Sequence, residues 1–246
     1  MNTPPTIPPT IPPTSAPTPT PPATAFCRGV IFDIDGVLCD SEPYIIEAAR
    51  QMFAESYNVQ LTAQAFKPFT GMGEDRFLGG PAEEKGIKIN LPRDKKRTYD
   101  IYLQNIRGRL QPLPGVIDFI AKLRARRILT ACASAADHTK VAGNLTQLGL
   151  PPAGFTTVIT GSDVTNKKPH PEGFLLAATR MQVPAELCLV VEDAPAGCQA
   201  AQTAGMYCLG ITSSFNDATL RQAGAQWTAP DLAHVPQDLL EQLNLL

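Results

Sequence analysis

Residues 29–37 read Gly-Val-Ile-Phe-Asp-Ile-Asp-Gly-Val, and no other stretch limits the fold as much. Val30-Ile31-Phe32 is β-branched and aromatic with no polar interruption. That composition suits a strand buried on both faces, as in a parallel sheet. The run ends in Asp33 and Asp35, one residue apart, and Gly36 follows at once. Side chains at the carboxyl end of such a strand project into the crevice where open α/β sheets bind ligands. Two carboxylates there are costly unless positive charge lies between them. A hard divalent cation meets the need, since Mg2+ takes oxygen ligands and is usually held by one or two carboxylates plus substrate phosphate. A strand running into an ordinary Asp/Gly turn would look the same locally, so the rest of the chain decides between the two.

The chain has 246 residues, room for one large α/β domain or a core carrying a smaller insertion. Its 43% hydrophobic and 18% charged residues fit a soluble globular protein. A net charge of -2 leaves no electrostatic footprint for nucleic acid. No apolar stretch approaches the roughly 18 residues of a membrane span. Cys27, Cys39, Cys132, Cys188, Cys198 and Cys208 form no C-x-x-C pair and lie in apolar segments. They read as reduced core thiols rather than a disulfide frame, which favours a cytoplasmic compartment. Residues 1–25 hold ten of the 24 prolines, interleaved with threonine, without a basic cluster or an apolar signal core. They read as a disordered Pro/Thr-rich tail and not as a secretory or transit signal.

Past Asp35 the pattern turns helical around Pro43, a residue tolerated where its missing N–H costs nothing. Residues 44–107 offer no convincing strand. Helices are expected around 44–56, 62–67, 74–86 and 92–107, broken by Pro68, Gly71-Met72-Gly73, Gly79-Gly80-Pro81 and Pro92. An all-helical block between two strands reads as an inserted domain, and Gln111-Pro112-Leu113-Pro114-Gly115 suits a hinge back to the core. From residue 115 onward helix and strand alternate. Helical faces at Val116, Phe119, Ile120, Leu123 and at Val141, Leu145, Leu148 flank a strand at Ile128–Ala133. Further strands are expected at 157–160, 187–191, 207–211 and 227–229, with helices near 171–182, 194–204 and 231–243. Such alternation argues for βαβ units: an α/β fold with a Rossmann-like parallel sheet.

Three later segments carry polar groups that answer the two aspartates. Ser134 stands just past the apolar Ala131-Cys132-Ala133, Lys167-Lys168 precedes Pro169, and Glu192-Asp193 follows Val190-Val191. Strand ends of a parallel sheet share one edge, so these groups can converge. Convergence would let carboxylates hold Mg2+ while a lysine, a hydroxyl and backbone N–H groups grip a phosphate. One aspartate would then attack phosphorus and the other would move a proton. Taken singly, Ser134 is a helix cap, the lysines a solvated pair, and Glu192-Asp193 an acidic helix start. All of them together, in this order, make a phosphoryl-transfer site.

Here the chain resembles a known family. Asp33-Ile34-Asp35-Gly36-Val37, Ser134, Lys168-Pro169 and Glu192-Asp193 are similar to the four signature motifs of the haloacid dehalogenase superfamily. Leu113-Pro114-Gly115-Val116 and Glu192-Asp193-Ala194-Pro195-Ala196-Gly197 resemble its β-phosphoglucomutase/phosphatase branch, over about residues 26–215. The resemblance implies an α/β core at 26–40 and 113–246, with an α-helical cap at 41–112. It also implies that Asp33 is the nucleophile and Asp35 the acid/base, with Ser134 and Lys168 on the phosphate. Mg2+ would be held by Asp33, the Asp35 carbonyl, Glu192 and Asp193, either acid of the last pair acting directly or through water. The lysine chosen is Lys168, because the family lysine directly precedes a proline.

The cap departs from the mutase pattern. Ile45 stands where the mutases are expected to have a histidine, and Gly73 is followed by Glu74 and Asp75 before Arg76 arrives. The expected activity is therefore hydrolysis of a small phosphate monoester such as a sugar phosphate. A β-phosphoglucomutase-type phosphotransferase is the alternative, and a non-catalytic binding domain ranks behind both. The expected partner is a small phosphorylated metabolite, with neither nucleic acid nor membrane. The sequence sets no oligomeric state, and a monomer is plausible. His138 and His234 read as helical surface or capping residues, His170 as a neighbour of the phosphate lysine, and Lys95-Lys96-Arg97 as a solvated cap face.

Overall fold

Val30 and Phe32 pack into one apolar cluster and Ile31 into another, all without solvent exposure. Successive side chains of a strand point to opposite faces, so a strand this apolar needs cover on both sides. A computed structural model, describing residues 26–69 and 73–246, supplies that cover. The expected tail at 1–25 and most of the Gly71-Met72-Gly73 turn lie outside the described residues.

Six strands form one parallel sheet: β1 (Gly29–Phe32), β2 (Leu129–Ala133), β3 (Thr157–Ile159), β4 (Cys188–Glu192), β5 (Tyr207–Ile211) and β6 (Trp227–Ala229). Their order is β3-β2-β1-β4-β5-β6, which places β1 between β2 and β4. Phe32 pairs with Cys132 on one side and Val191 on the other, so the three strands end level. The alternation set by β1 repeats: Leu189, Val191, Leu209 and Ile211 join Val30 and Phe32, while Cys188, Val190 and Cys208 join Ile31.

The crossovers run through α4 (Val116–Ala125), α5 (His138–Gln147), α6 (Glu172–Met181), α7 (Pro195–Thr203) and α8 (Asp217–Gln222), and α9 (Gln237–Gln242) follows β6. Between β1 and β2 stands a block of α1 (Glu42–Tyr57), α2 (Glu74–Glu84) and α3 (Leu91–Ile106). Its buried Ile45, Met52, Phe53, Phe66 and Tyr102 share one continuous core with Phe32 and Val116.

Three elements differ from expectation. Residues 62–67 make two short 3-10 turns, Ala63–Ala65 and Lys67–Phe69, because Pro68 has no N–H to continue an α-helical ladder. The last helix starts only after Pro236; before it, Asp231 accepts from Ala233 N–H and pairs with His234, which therefore sits in a turn and not in a helix. Helix α8 forms where no element is expected, and Asn216 caps it by accepting from Thr219 N–H.

Candidate active site

Asp33 follows β1 and its N–H donates to Val191 O at 2.9 Å, which fixes it beside the end of β4. Glu192 is the last residue of β4 and Asp193 the next, so three acids share one edge by register alone. Their carboxylate oxygens come within 4.8 Å of one another, and all three side chains are buried. Lys168 reaches in from the segment before α6. Its Nζ donates to Asp33 Oδ1 at 2.5 Å and to Glu192 Oε1 at 2.8 Å, and lies 4.9 Å from the centre of the Phe174 ring.

The second oxygen of Glu192 accepts the N–H groups of Asp193 and Ala194 at 2.5 and 3.1 Å, and the Ser214 hydroxyl donates to Asp193. Two glycines make room. A Cβ on Gly197 would fall 1.7 Å from Glu192 Oε1, and one on Gly36, at φ +79°, would fall 2.0 Å from Asp193 Oδ2.

Three carboxylates facing one ammonium leave the cluster short of positive charge. Burial pushes the Asp33 carboxyl up to about 7 against the pull of Lys168, with Glu192 and Asp35 pushing the same way as burial. Burial, followed by Glu192 and Asp33, also pushes Asp193 well above the usual carboxylate range. For Lys168, burial favours the neutral form, but Asp33 and Glu192 overrule it and hold the ammonium charged. Clustered carboxylates that want a proton are the donor set of a hard divalent ion, so these residues fit a divalent cation.

Asp35 points elsewhere. Its carboxylate accepts from the Ser41 hydroxyl, from Lys140 Nζ at 2.7 Å and from Asn144 Nδ2 at 3.3 Å. Its side-chain oxygens are not among those gathered around Asp33. Sequence reasoning missed Lys140, Asn144, Ser41 and Ser214. Nothing in the sequence around Lys140 marks it, yet it is 7% exposed. Ser134 lies where expected, buried past β2, and shares a recess with Lys167 and Lys168. Its N–H donates to Ile159 O and its Oγ accepts from Ala136 N–H.

The helical block closes on this edge. Lys95 of α3 bridges Asp75 of α2 at 2.7 Å and Asp137 of the β2–α5 loop at 2.9 Å, so it is not a purely solvated residue. Gly73 lies so near Lys167 that a Cβ would fall 2.5 Å from its Nζ. Arg76 is committed away from the site, to Glu83 at 2.6 Å and over the Phe69 ring.

Residues 27–205 match the sequence profile of the haloacid dehalogenase-like hydrolases. The chain is 37% identical over 209 residues to Protein SUPPRESSOR OF QUENCHING 1, chloroplastic, of Arabidopsis thaliana, covering 84% of this chain but only 20% of that protein. It is 35% identical over 200 residues to the Phosphorylated carbohydrates phosphatase of Thermotoga maritima, covering 80% of this chain and 92% of that one. A solved structure of beta-phosphoglucomutase from Clostridium difficile superposes with a TM-score of 0.74 at 23% identity, over 89% of this chain and 97% of that one, a likeness of fold. The signature residues on one sheet edge, the profile match and these relatives agree: the chain belongs to the haloacid dehalogenase-like hydrolase family and is an enzyme.

Proposed function

We propose that this enzyme is a Mg2+-dependent phosphatase that hydrolyses a small phosphate monoester, a sugar phosphate or similar, through an aspartyl-phosphate on Asp33. The observation that carries the reading is the bridge from Lys168 to Asp33 and Glu192 beside Asp193, at the carboxyl end of the central strands. The phosphatase name of the Thermotoga relative supports the reaction class.

In this reading an Asp33 oxygen attacks phosphorus, the P–O bond to the substrate carbon skeleton breaks, and the leaving oxygen takes a proton from Asp35. Asp35 next accepts a proton from water, which attacks the phospho-aspartate and releases inorganic phosphate with Asp33 restored. Asp35 must leave Lys140, Ser41 and Asn144 to do this, so those three hold it in a waiting position. Lys168 and Ser134 bind the phosphoryl oxygens. Mg2+, held by Asp33, Glu192, Asp193 and the Asp35 carbonyl, would supply charge neutralisation. Residues 41–112 act as the cap over a core formed by 26–40 and 113–246. Six buried, unpaired cysteines accord with a reducing, cytoplasmic-type compartment.

Hydrolysis is favoured over mutase chemistry by the cap itself. Ile45 is buried in the apolar core, Glu74 is an acid, and Arg76 is turned to Glu83, so none of these three offers a cation to a second phosphate. The test is a panel of phosphorylated sugars and short acids, with 4-nitrophenyl phosphate, assayed for inorganic phosphate with Mg2+ present. β-Glucose 1-phosphate with a trace of the 1,6-bisphosphate is included. Phosphate release supports the reading. Glucose 6-phosphate appearing much faster than free phosphate would establish the mutase instead.

A further inference from the structure

The segment between β5 and α8, residues 212–216, crosses the acidic edge of the sheet and is clipped to it. Thr212 N–H donates to Ala229 O at 2.8 Å, which ties the start of the segment to β6. The Ser213 hydroxyl donates to Gly36 O at 2.6 Å, and the Ser214 hydroxyl donates to Asp193 Oδ2. The reaction proposed above uses neither serine. Both serines are exposed while Asp193 is buried, so Ser214 reaches this carboxylate from the solvent side. Asp193 is thereby held in one pose from two directions. Its Oδ2 takes the Ser214 proton and packs against the backbone of Gly36, where a Cβ would fall 2.0 Å away. Among the described residues, Oδ2 is the carboxylate oxygen of Asp193 that accepts a hydrogen bond, and Oδ1 is left open.

We propose that Ser214 is a positioning residue for the cation site: its hydroxyl, with Gly36 behind, restricts Asp193 to one metal-facing oxygen and so biases the site toward Mg2+ over Ca2+. The inference rests on the Mg2+ reading above and deepens it by naming a residue that sets the choice of ion. A carboxylate with one oxygen engaged offers the other alone. Mg2+ demands near-ideal octahedral geometry, which single oxygens can fill, whereas Ca2+ takes more ligands at longer distances and accepts both oxygens of a carboxylate. Freeing Oδ2 therefore removes a constraint that serves Mg2+ and gives Ca2+ a ligand it can use. The bond from Ser213 to the Gly36 carbonyl joins the two restraints, since the residue that backs Asp193 and the segment that engages it are held as one piece. Ser214 acts through Asp193, in the manner of the outer-shell partners that orient ligating carboxylates.

The test titrates Mg2+ and, separately, Ca2+ into the metal-free protein and follows Tm, which rises with any ion that binds the folded state, even weakly. The dependence of Tm on ion concentration gives an apparent Kd for each ion, with no turnover needed. Ser214→Ala should weaken Mg2+ binding by roughly 10- to 100-fold, the usual effect of removing an outer-shell partner. Ca2+ binding should weaken far less, so the ratio of the two Kd values should move toward Ca2+ by about tenfold. Ser214→Thr keeps the hydroxyl and should return the wild-type ratio. A general loosening of the site would weaken both ions alike and leave the ratio unchanged. Each Kd is referred to the variant's own metal-free Tm, so lost stability does not alter the ratio either. A ratio that alanine does not move, or that alanine and threonine move equally, overturns the inference. A wild-type Tm that neither ion raises would instead overturn the Mg2+ reading, and the inference with it.

Discussion

Replacing Lys168 with methionine measures how far the acidic cluster depends on one cation. The ammonium donates to Asp33 at 2.5 Å and Glu192 at 2.8 Å, and both carboxylates are buried. Methionine keeps the apolar stem beside Phe174, so the change is confined to charge. Deleting one partner of a buried ion pair costs about 3–5 kcal/mol, since the orphaned charge stays desolvated. In a chain of this size that is a fall in Tm of roughly 6–20 °C at about pH 8. The fall should shrink on acidification. Asp33 is pushed from 3.8 to about 7 in the folded protein, and removing Lys168 takes away the main influence holding it down. A carboxyl raised in this way costs stability when ionised. The cost is complete above the folded pKa and fades as pH falls through it toward 3.8, because the folded state then binds the proton first. At about pH 5.5 the variant should therefore approach wild type. Thermal melts of the two metal-free proteins across this range decide the matter. A Tm difference that is constant with pH, or widens in acid, refutes the reasoning.

Asp33→Asn should abolish turnover while metal-free Tm holds or rises, because it removes one charge from a crowded set; substantial residual phosphate release would take the nucleophile role from Asp33. Turnover should need Mg2+, and Mg2+ should raise Tm more at about pH 8 than at about pH 6, since Asp33 and Asp193 must shed protons before they ligate. Full activity in excess chelator, or equal Tm shifts at both pH values, would remove these acids as the metal site. Gly36→Ala should cost activity at least tenfold and lower Tm, because its Cβ meets Asp193 at 2.0 Å on a backbone of positive φ. A fully active alanine variant would show that Asp193 does not need its observed position.

The sheet was legible because its strands are short apolar runs buried on both faces, and β5 and β6 fall at the residues expected from that pattern. Asp33, Ser134, Glu192 and Asp193 were legible because each stands at or just past the end of such a run, whereas Lys168, well beyond the end of β3, was marked only by the proline after it. Asp35 was legible as a residue but not in its contacts. Its partners Lys140 and Asn144 come from a helix more than a hundred positions away, where periodicity reports only the apolar face. Lys140 shows the limit: a lysine on the flank of an apolar stripe is exposed by default, and only the fold reveals the carboxylate that pulls it in.

The level ends of β1, β2 and β4 have a consequence for how the protein comes apart. Amides of Val30–Phe32 and Leu189–Val191 are paired on both sides in the middle of the sheet, whereas β3 and β6 are its borders. In native-state hydrogen exchange the border strands should trade protons through inexpensive local fraying, and the central pair only through global opening. Asp33 and Glu192 hang directly from that slowest-exchanging pair. Warming should thus leave the nucleophile and its acidic neighbours in register until the whole sheet melts, so heat inactivation and global unfolding should share one midpoint.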